Sequence, residues 1–211
     1  MLEGVDGAGK STLQLGLQAF FEALRFSVVL SREPTAGPHG KALRDAAKIK
    51  RLPAEQELAL LLADRREHVD ALIKPALSVG KIVILDRYYY STVAYQGAAG
   101  LDRSRVLALN EVFAPKPDAL LILDLPVPVA LARIAARGAG QDDFERADTL
   151  SFVRNCFLGF AELPFAHVLD ARLSPAALCG AACAKLFPLL TGVLHDPYEL
   201  SRRTARAESP G

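Results

Sequence analysis

The sequence predicts an α/β fold: a doubly wound, all-parallel sheet of five strands held between two layers of helices. Three observations carry this reading. A glycine-rich phosphate-loop motif occupies residues 4–11, directly ahead of a helical period. Short continuous apolar runs recur along the chain, and several end on Asp. Segments of helical spacing separate those runs. Strands that alternate with helices form parallel sheets, because parallel neighbours need a crossover long enough to hold a helix.

The elements follow in chain order. Met1-Leu2-Glu3 stands where the first strand belongs. Leu13, Leu17, Phe20, Phe21 and Leu24 repeat at helical spacing and predict a helix over about 10–24. "FSVVLS" (26–31) is short and β-branched, and predicts a buried strand. "REPTAGPHG" (32–40) reads as a polar Gly/Pro loop. A long helical period runs over 53–74, with Pro53 placed to start it. "KIVIL" (81–85) and "ALLIL" (119–123) are each closed by an Asp and predict central strands buried on both faces. "AHVLD" (166–170) predicts the fifth strand. Helices are expected near 103–113, 126–137, 146–161 and 175–190. The expected organisation is one domain over 1–192, with a lid loop at about 137–146 and a frayed tail over 193–211.

With 211 residues, 51% of them apolar, the chain is long enough for one domain with a substantial core. Its formal charge of +1 gives no electrostatic case for nucleic acid or an acidic membrane surface. Any bound anion must therefore be held by local groups. Cys156, Cys179 and Cys183 include no CxxC pair and read as structural, not metal-binding. Residues 176–194 are apolar but interrupted by Lys185 and Pro188, which predicts a packed helix over a membrane span. The phosphate loop stands where a signal peptide would, so the cytoplasm is expected.

Residues Gly4, Val5, Asp6, Gly7, Ala8, Gly9, Lys10 and Ser11 satisfy G-x-x-x-x-G-K-[ST]. Glycines let backbone N–H groups curl around phosphate oxygens, and the helix that follows aims its positive end at them. Lys10 adds a cation, and Ser11 offers a hydroxyl to Mg²⁺. A GTPase would need a guanine-reading N-K-x-D, which does not occur. A small chain with arginines at its loops suits a kinase of small phosphorylated molecules, which must neutralise an acceptor phosphate as well as ATP. Asp86 ends a strand, where a carboxylate can face the metal–phosphate complex, and Arg87 beside it can hold the acceptor phosphate and the migrating group. Asp124 also ends a strand and reads as structural or supporting.

With these residues in view, the sequence resembles the bacterial thymidylate kinases, a family of P-loop nucleoside monophosphate kinases, over about residues 2–190. "EGVDGAGKST" resembles that family's opening and "SREPTAGPHGKALR" its R-E-P loop. "LLLADRREH" resembles its substrate helix, and "LDRYYYSTVAYQG" its D-R-Y segment. "PDALLILDLPVPVALARIAARG" resembles its fourth strand and the approach to its lid. The resemblance implies the three-layer P-loop NTPase fold, transfer of a phosphoryl group from ATP to dTMP, Mg²⁺ and a homodimer. It assigns catalysis to Lys10, Arg87, Asp6 and Arg137, ATP binding to residues Gly4 through Thr12 and to Arg133, and the metal to Ser11 and Asp86. Arg32, Glu33, Pro34, Leu61, Arg65, Arg87, Tyr95 and Gln96 are implied at the acceptor. Arg65 is the implied reader of the thymine edge, with Arg66 or a solvated helix face as alternatives. Glu33 is expected to hold the loop or the metal shell, and His39 and His68 receive no role. Because Gly7 replaces the Arg of some relatives, Arg133 and Arg137 are expected to supply the missing cation from the lid side.

Three positions depart from the family pattern. The first strand lacks about three apolar residues, the base-stacking Phe expected one turn before Arg65 is Leu61, and the lid carries Asp143 where a base is usual. These leave two other readings open: a kinase for a different nucleotide or nucleoside, and a nucleotide-binding relative without turnover.

Overall fold

The computed structural model describes residues 1–49, 52–136 and 147–194, the last four of these as backbone only. The expected lid, Arg137 and nearly all of the expected tail lie outside the described residues.

Five strands make one sheet: β1 (Leu2–Glu3), β2 (Val28–Arg32), β3 (Ile82–Asp86), β4 (Leu120–Asp124) and β5 (Ala166–Asp170). Their order is β2-β3-β1-β4-β5 and every pairing is parallel. The two-residue β1 therefore takes the central position. Leu2 pairs with Asp86 on one side and with Leu121 on the other, and Glu3 pairs with Ile122. In β4, Leu120 through Leu123 are at most 1% exposed, as a strand covered on both faces must be.

Helix α1 (Lys10–Ala23) buries Leu13, Leu17 and Phe21 at the spacing its apolar stripe predicts. It packs against α9 (Pro175–Leu194), which turns Leu178, Ala182, Leu186 and Leu190 inward at four-residue intervals. A second group, α5 (Tyr89–Ala98), α6 (Arg103–Glu111) and α8 (Ala147–Gly159), packs around the D-R-Y segment, while α7 (Val127–Ala136) follows β4 and meets α8. Among the described residues, no helix is long and apolar enough to cross a membrane.

The long helix expected over 53–74 is α3 (Ala54–His68), continued by a wider π turn over Val69–Ile73 and by α4 (Lys74–Ser78). Pro75 has no N–H to give residue 71, and its ring crowds that carbonyl. The wider turn takes up the mismatch without ending the helix.

Two helices form where the sequence assigned none. Helix α2 (Pro38–Ile49) begins inside the stretch read as loop, with Pro38 at its first position. A Cβ on Gly40 would stand 2.1 Å from the carbonyl oxygen of Thr35, so only glycine lets α2 lie this close to the loop before it. Helix α5 is aromatic and β-branched, a composition that favours strands when taken alone. Tertiary contacts override it: Tyr89, Tyr90, Val93 and Ala94 are all buried. The buried carboxylate of Glu3 accepts from the backbone N–H groups of Tyr88 and Ser91 and from the Ser91 hydroxyl. A residue of the central strand thus satisfies the open N-terminus of a distant helix.

Candidate active site

The C-terminal ends of β1, β2 and β3 open onto one crevice, where ligands sit in sheets of this kind. Two adjoining cavities occupy it. The first, of about 340 Å³, is lined by the glycine loop, Lys10, Ser11, Thr12, Arg32 and Asp86. The second, of about 250 Å³, is lined by Leu43, Leu61, Arg65, Thr92, Tyr95 and Gln96. Asp6, Glu33, Pro34, Arg44 and Arg87 border both.

The loop between β1 and α1 is fixed by its backbone. Gly4 has φ +144°, and a Cβ there would meet the Leu123 carbonyl oxygen at 2.6 Å. Lys10 is buried although it ends the glycine loop and starts α1. Its Nζ donates to the carbonyls of Gly4 (3.0 Å) and Val5 (3.1 Å), leaving one of its three N–H groups for a ligand. Burial, with Arg87 as a second cause, pushes its pKa down to about 8. Val5 and Ala8 are buried, so anything they give a phosphate comes from the backbone. The Ser11 hydroxyl donates to Asp86 at 2.7 Å.

Arg87 has φ 68° and lies between the two cavities. It donates to Asp6 at 2.6 Å and to Ser91 at 3.1 Å, and its guanidinium carbon stands 5.2 Å from the Tyr95 ring centre. Burial opposes its charge, but Tyr95, Asp6, Glu3 and Asp86 outweigh that and hold its pKa above the usual value. Arg133 donates to the carbonyls of Gly7 and Ala171, both at 3.1 Å, so it reaches the phosphate loop from α7. Asp124 is held at both oxygens by Arg154, at 2.6 and 2.9 Å, in keeping with a supporting role.

In the second cavity, Arg65 is only 1% exposed. Its Nε (2.8 Å) and Nη2 donate to Glu33, Nη2 also donates to Thr92 at 3.0 Å, and Nη1 donates to Asn110. Four of its five N–H groups are thereby used within the protein. Arg66 is exposed, with its guanidinium carbon 4.1 Å from the Phe113 ring centre, so of the two arginines Arg65 is the one that faces the site. Glu33 borders both cavities, and its carboxylate is bound by Arg65 and His68. Gln96 is fully buried, and its amide makes no hydrogen bond among the described residues. It therefore offers a donor and an acceptor to whatever fills the cavity.

Sequence reasoning missed Glu3, Arg44, Asp64, His68 and Asn110. Arg44 donates to the carbonyls of Pro34 and Thr35, and Asp64 accepts from the N–H and hydroxyl of Thr35. Together they shape the turn after Glu33. His68 bonds Glu33 and Ser31. A signal for one of these was present: Leu58, Leu61, Arg65 and His68 share one helical stripe, so His68, like Arg65, occupies a position where packing alone calls for an apolar residue.

Comparison with known proteins agrees with this geometry. The family model for thymidylate kinase matches residues 2–178. The thymidylate kinase of Xanthomonas oryzae pv. oryzae (strain PXO99A) is 56% identical over 170 residues, covering 81% of this chain and 74% of the relative. That of Xanthomonas campestris pv. campestris (strain B100) gives the same identity and coverage. That of Xylella fastidiosa (strain 9a5c) is 45% identical over 189 residues, covering 90% of each chain. A phosphate loop beside a buried arginine pocket, joined by one arginine, and a family match over most of its length together show that this chain belongs to the thymidylate kinase family.

Proposed function

We propose that the protein transfers the γ-phosphoryl group of ATP to dTMP, giving dTDP and ADP. The observation that carries the reading is Arg87, which borders both cavities and is held in its charged form by the groups around it. Donor phosphates in the glycine loop and an acceptor phosphate at Arg32 and Arg87 would meet beside it. Phosphoryl transfer needs little covalent chemistry from the protein. It needs positioning and cations where charge is spread over the migrating group.

In this reading Lys10 and the N–H groups of the loop and the first turn of α1 hold the ATP phosphates. Asp6 orients Arg87 through their 2.6 Å ion pair. Ser11 and Asp86 present two hard oxygens to the first cavity, which suits Mg²⁺, an ion that keeps most of its water and takes few protein ligands. Bound there with ATP, it would neutralise charge on the donor phosphates. On the acceptor side, Arg65 has one Nη1 N–H left for a base carbonyl, Gln96 offers its amide, Tyr95 lies along the cavity wall, and Leu61 and Pro34 close it. Arg133 and Arg137 are the cations proposed to act from the lid side. A cytoplasmic homodimer is part of the same proposal, tested by fractionation and sedimentation.

The test is a coupled assay with Mg·ATP and dTMP, run beside dUMP, dCMP and thymidine. Arg87→Ala should lower kcat by about a hundredfold or more. Leu61 favours a second reading, since a pocket without a stacking ring discriminates bases less. Faster turnover of another acceptor than of dTMP would make that reading the better one.

A further inference from the structure

We infer that His68 is a positioning residue for the acceptor pocket, setting the angle at which Arg65 meets the nucleotide base. The inference rests on the reading of the second cavity as the acceptor site.

Arg65 does not stand alone in that cavity. It is one link of a buried polar chain that starts on β2. The Ser31 hydroxyl and His68 Nε2 are 2.8 Å apart, and His68 Nδ1 is 2.9 Å from one Glu33 oxygen. The other Glu33 oxygen accepts from both Nε and Nη2 of Arg65. A carboxylate only accepts, so Nδ1 carries the proton. At the far end the Asn110 side chain is oriented by its own amide, which donates to the Val106 carbonyl at 2.7 Å and turns its oxygen to Arg65.

The arrangement fixes Arg65 from both sides, and the two sides differ in how firmly they are anchored. Asn110 is held by its own helix. Glu33 lies just past the end of β2, in the Glu33–Pro34 turn. Arg65 binds one of its oxygens; His68 is the residue that binds the other. Without the imidazole, Glu33 has no second side-chain anchor among the described residues and can rotate about its terminal torsion. The Arg65 fork would turn with it, pivoting on its bonds to Thr92 and Asn110, because the two N–H groups aimed at Glu33 follow one oxygen. The one Nη1 N–H left for a ligand then changes direction. A base is recognised by the direction of that bond, so acceptor affinity should fall while the ATP site, built on the glycine loop, is untouched.

The test uses the full chain with His68→Ala, His68→Asn and His68→Gln. An Asn amide can stand near the position of Nδ1, whereas a Gln amide reaches toward that of Nε2. We expect His68→Ala to raise KM for dTMP about tenfold, with KM for ATP and kcat within about twofold. His68→Asn should recover most of the loss and His68→Gln little of it. Titration calorimetry of dTMP without ATP should show the same ranking. The ratio of kcat/KM for dTMP over dCMP should also fall in His68→Ala, since a misdirected donor no longer prefers a carbonyl to an amino group. A purely structural His68 would give another pattern: lower thermal stability, kcat and both KM values disturbed together, and no advantage for Asn over Gln. That pattern, or an unchanged KM for dTMP in a folded His68→Ala, overturns the inference. Failure of the acceptor reading is a different result, the absence of dTMP turnover and dTMP binding in the unaltered protein.

Discussion

Lys10 joins burial to function most directly. Its ammonium is desolvated and pushed down to about 8, so near neutral pH it carries its proton, and it loses that proton as pH rises through the folded value. A bound triphosphate would add negative charge beside the ammonium and raise its pKa again. ATP binding at about pH 8.5 should then take up a proton, and affinity should weaken with rising pH. Calorimetry in two buffers of different ionisation heat measures the uptake, and equal heats in both would refute it. Leu61 is the second informative residue. It lines the second cavity together with Tyr95 and has no ring to stack on a base. Leu61→Phe should tighten dTMP binding by about 0.5–1.5 kcal/mol if thymine is the base that sits there. An unchanged Kd at unchanged stability would point to another acceptor.

At the level of the element, β1 is the unusual feature. Its two residues lie centrally, but β3 runs four residues further back, and a cavity of about 250 Å³ lies beside Met1. Most of its walls are apolar side chains of β3, β4, α1 and α9, among them Ile82, Ile84, Leu121, Leu17 and Leu186, with Lys116 and Asp118 on one side. The Met1 ammonium donates to Ala119 at 2.7 Å, in the place where a strand would put a peptide N–H, and burial pushes it down to about 6 from 8.0. The unfolded chain therefore binds more protons between these values, and stability should rise as pH goes from about 6 to 8. Four apolar residues joined ahead of Met1 should fill the cavity and replace the charge with a peptide group. Denaturant unfolding should show a gain of about 1–4 kcal/mol and the loss of that pH slope, with kcat equal or higher. No gain in stability would mean that the cavity does not accept a strand.

For the whole molecule, the Arg65–Glu33 pair ties the second cavity, the proposed acceptor pocket, to the core. Both side chains are buried, so removing one strands a charge. Arg65→Ala should cost about 3–5 kcal/mol of folding stability besides weakening dTMP. Arg65→Met combined with Glu33→Gln should recover most of the stability and none of the binding. Thermal unfolding and dTMP titration of the two variants check this, and equal instability in both would argue against an ion-pair cause. The pocket is thus not a loop feature placed on a finished fold. It is part of the packing between α3, α5 and α6.

The sequence alone determined the parallel sheet, because apolar runs and helical periods are local patterns with fixed spacing. It also determined the phosphate loop, whose function depends on backbone shape within one short segment, and Arg65, Asp86 and Arg87 as residues of interest. It did not determine α5, whose aromatic and β-branched composition points the other way. That helix exists because Glu3 satisfies its N-terminus and the core takes its tyrosines. Nor did it determine that Lys10 is buried, that Glu33 binds Arg65, or that His68 stands behind both. Each of these depends on which residues far apart in the chain arrive at one place. Glu3 and Ser91 lie 88 residues apart, and Glu33 and His68 lie 35 apart. Only the tertiary structure decides such contacts, since a buried charge is tolerable only where its partner also arrives.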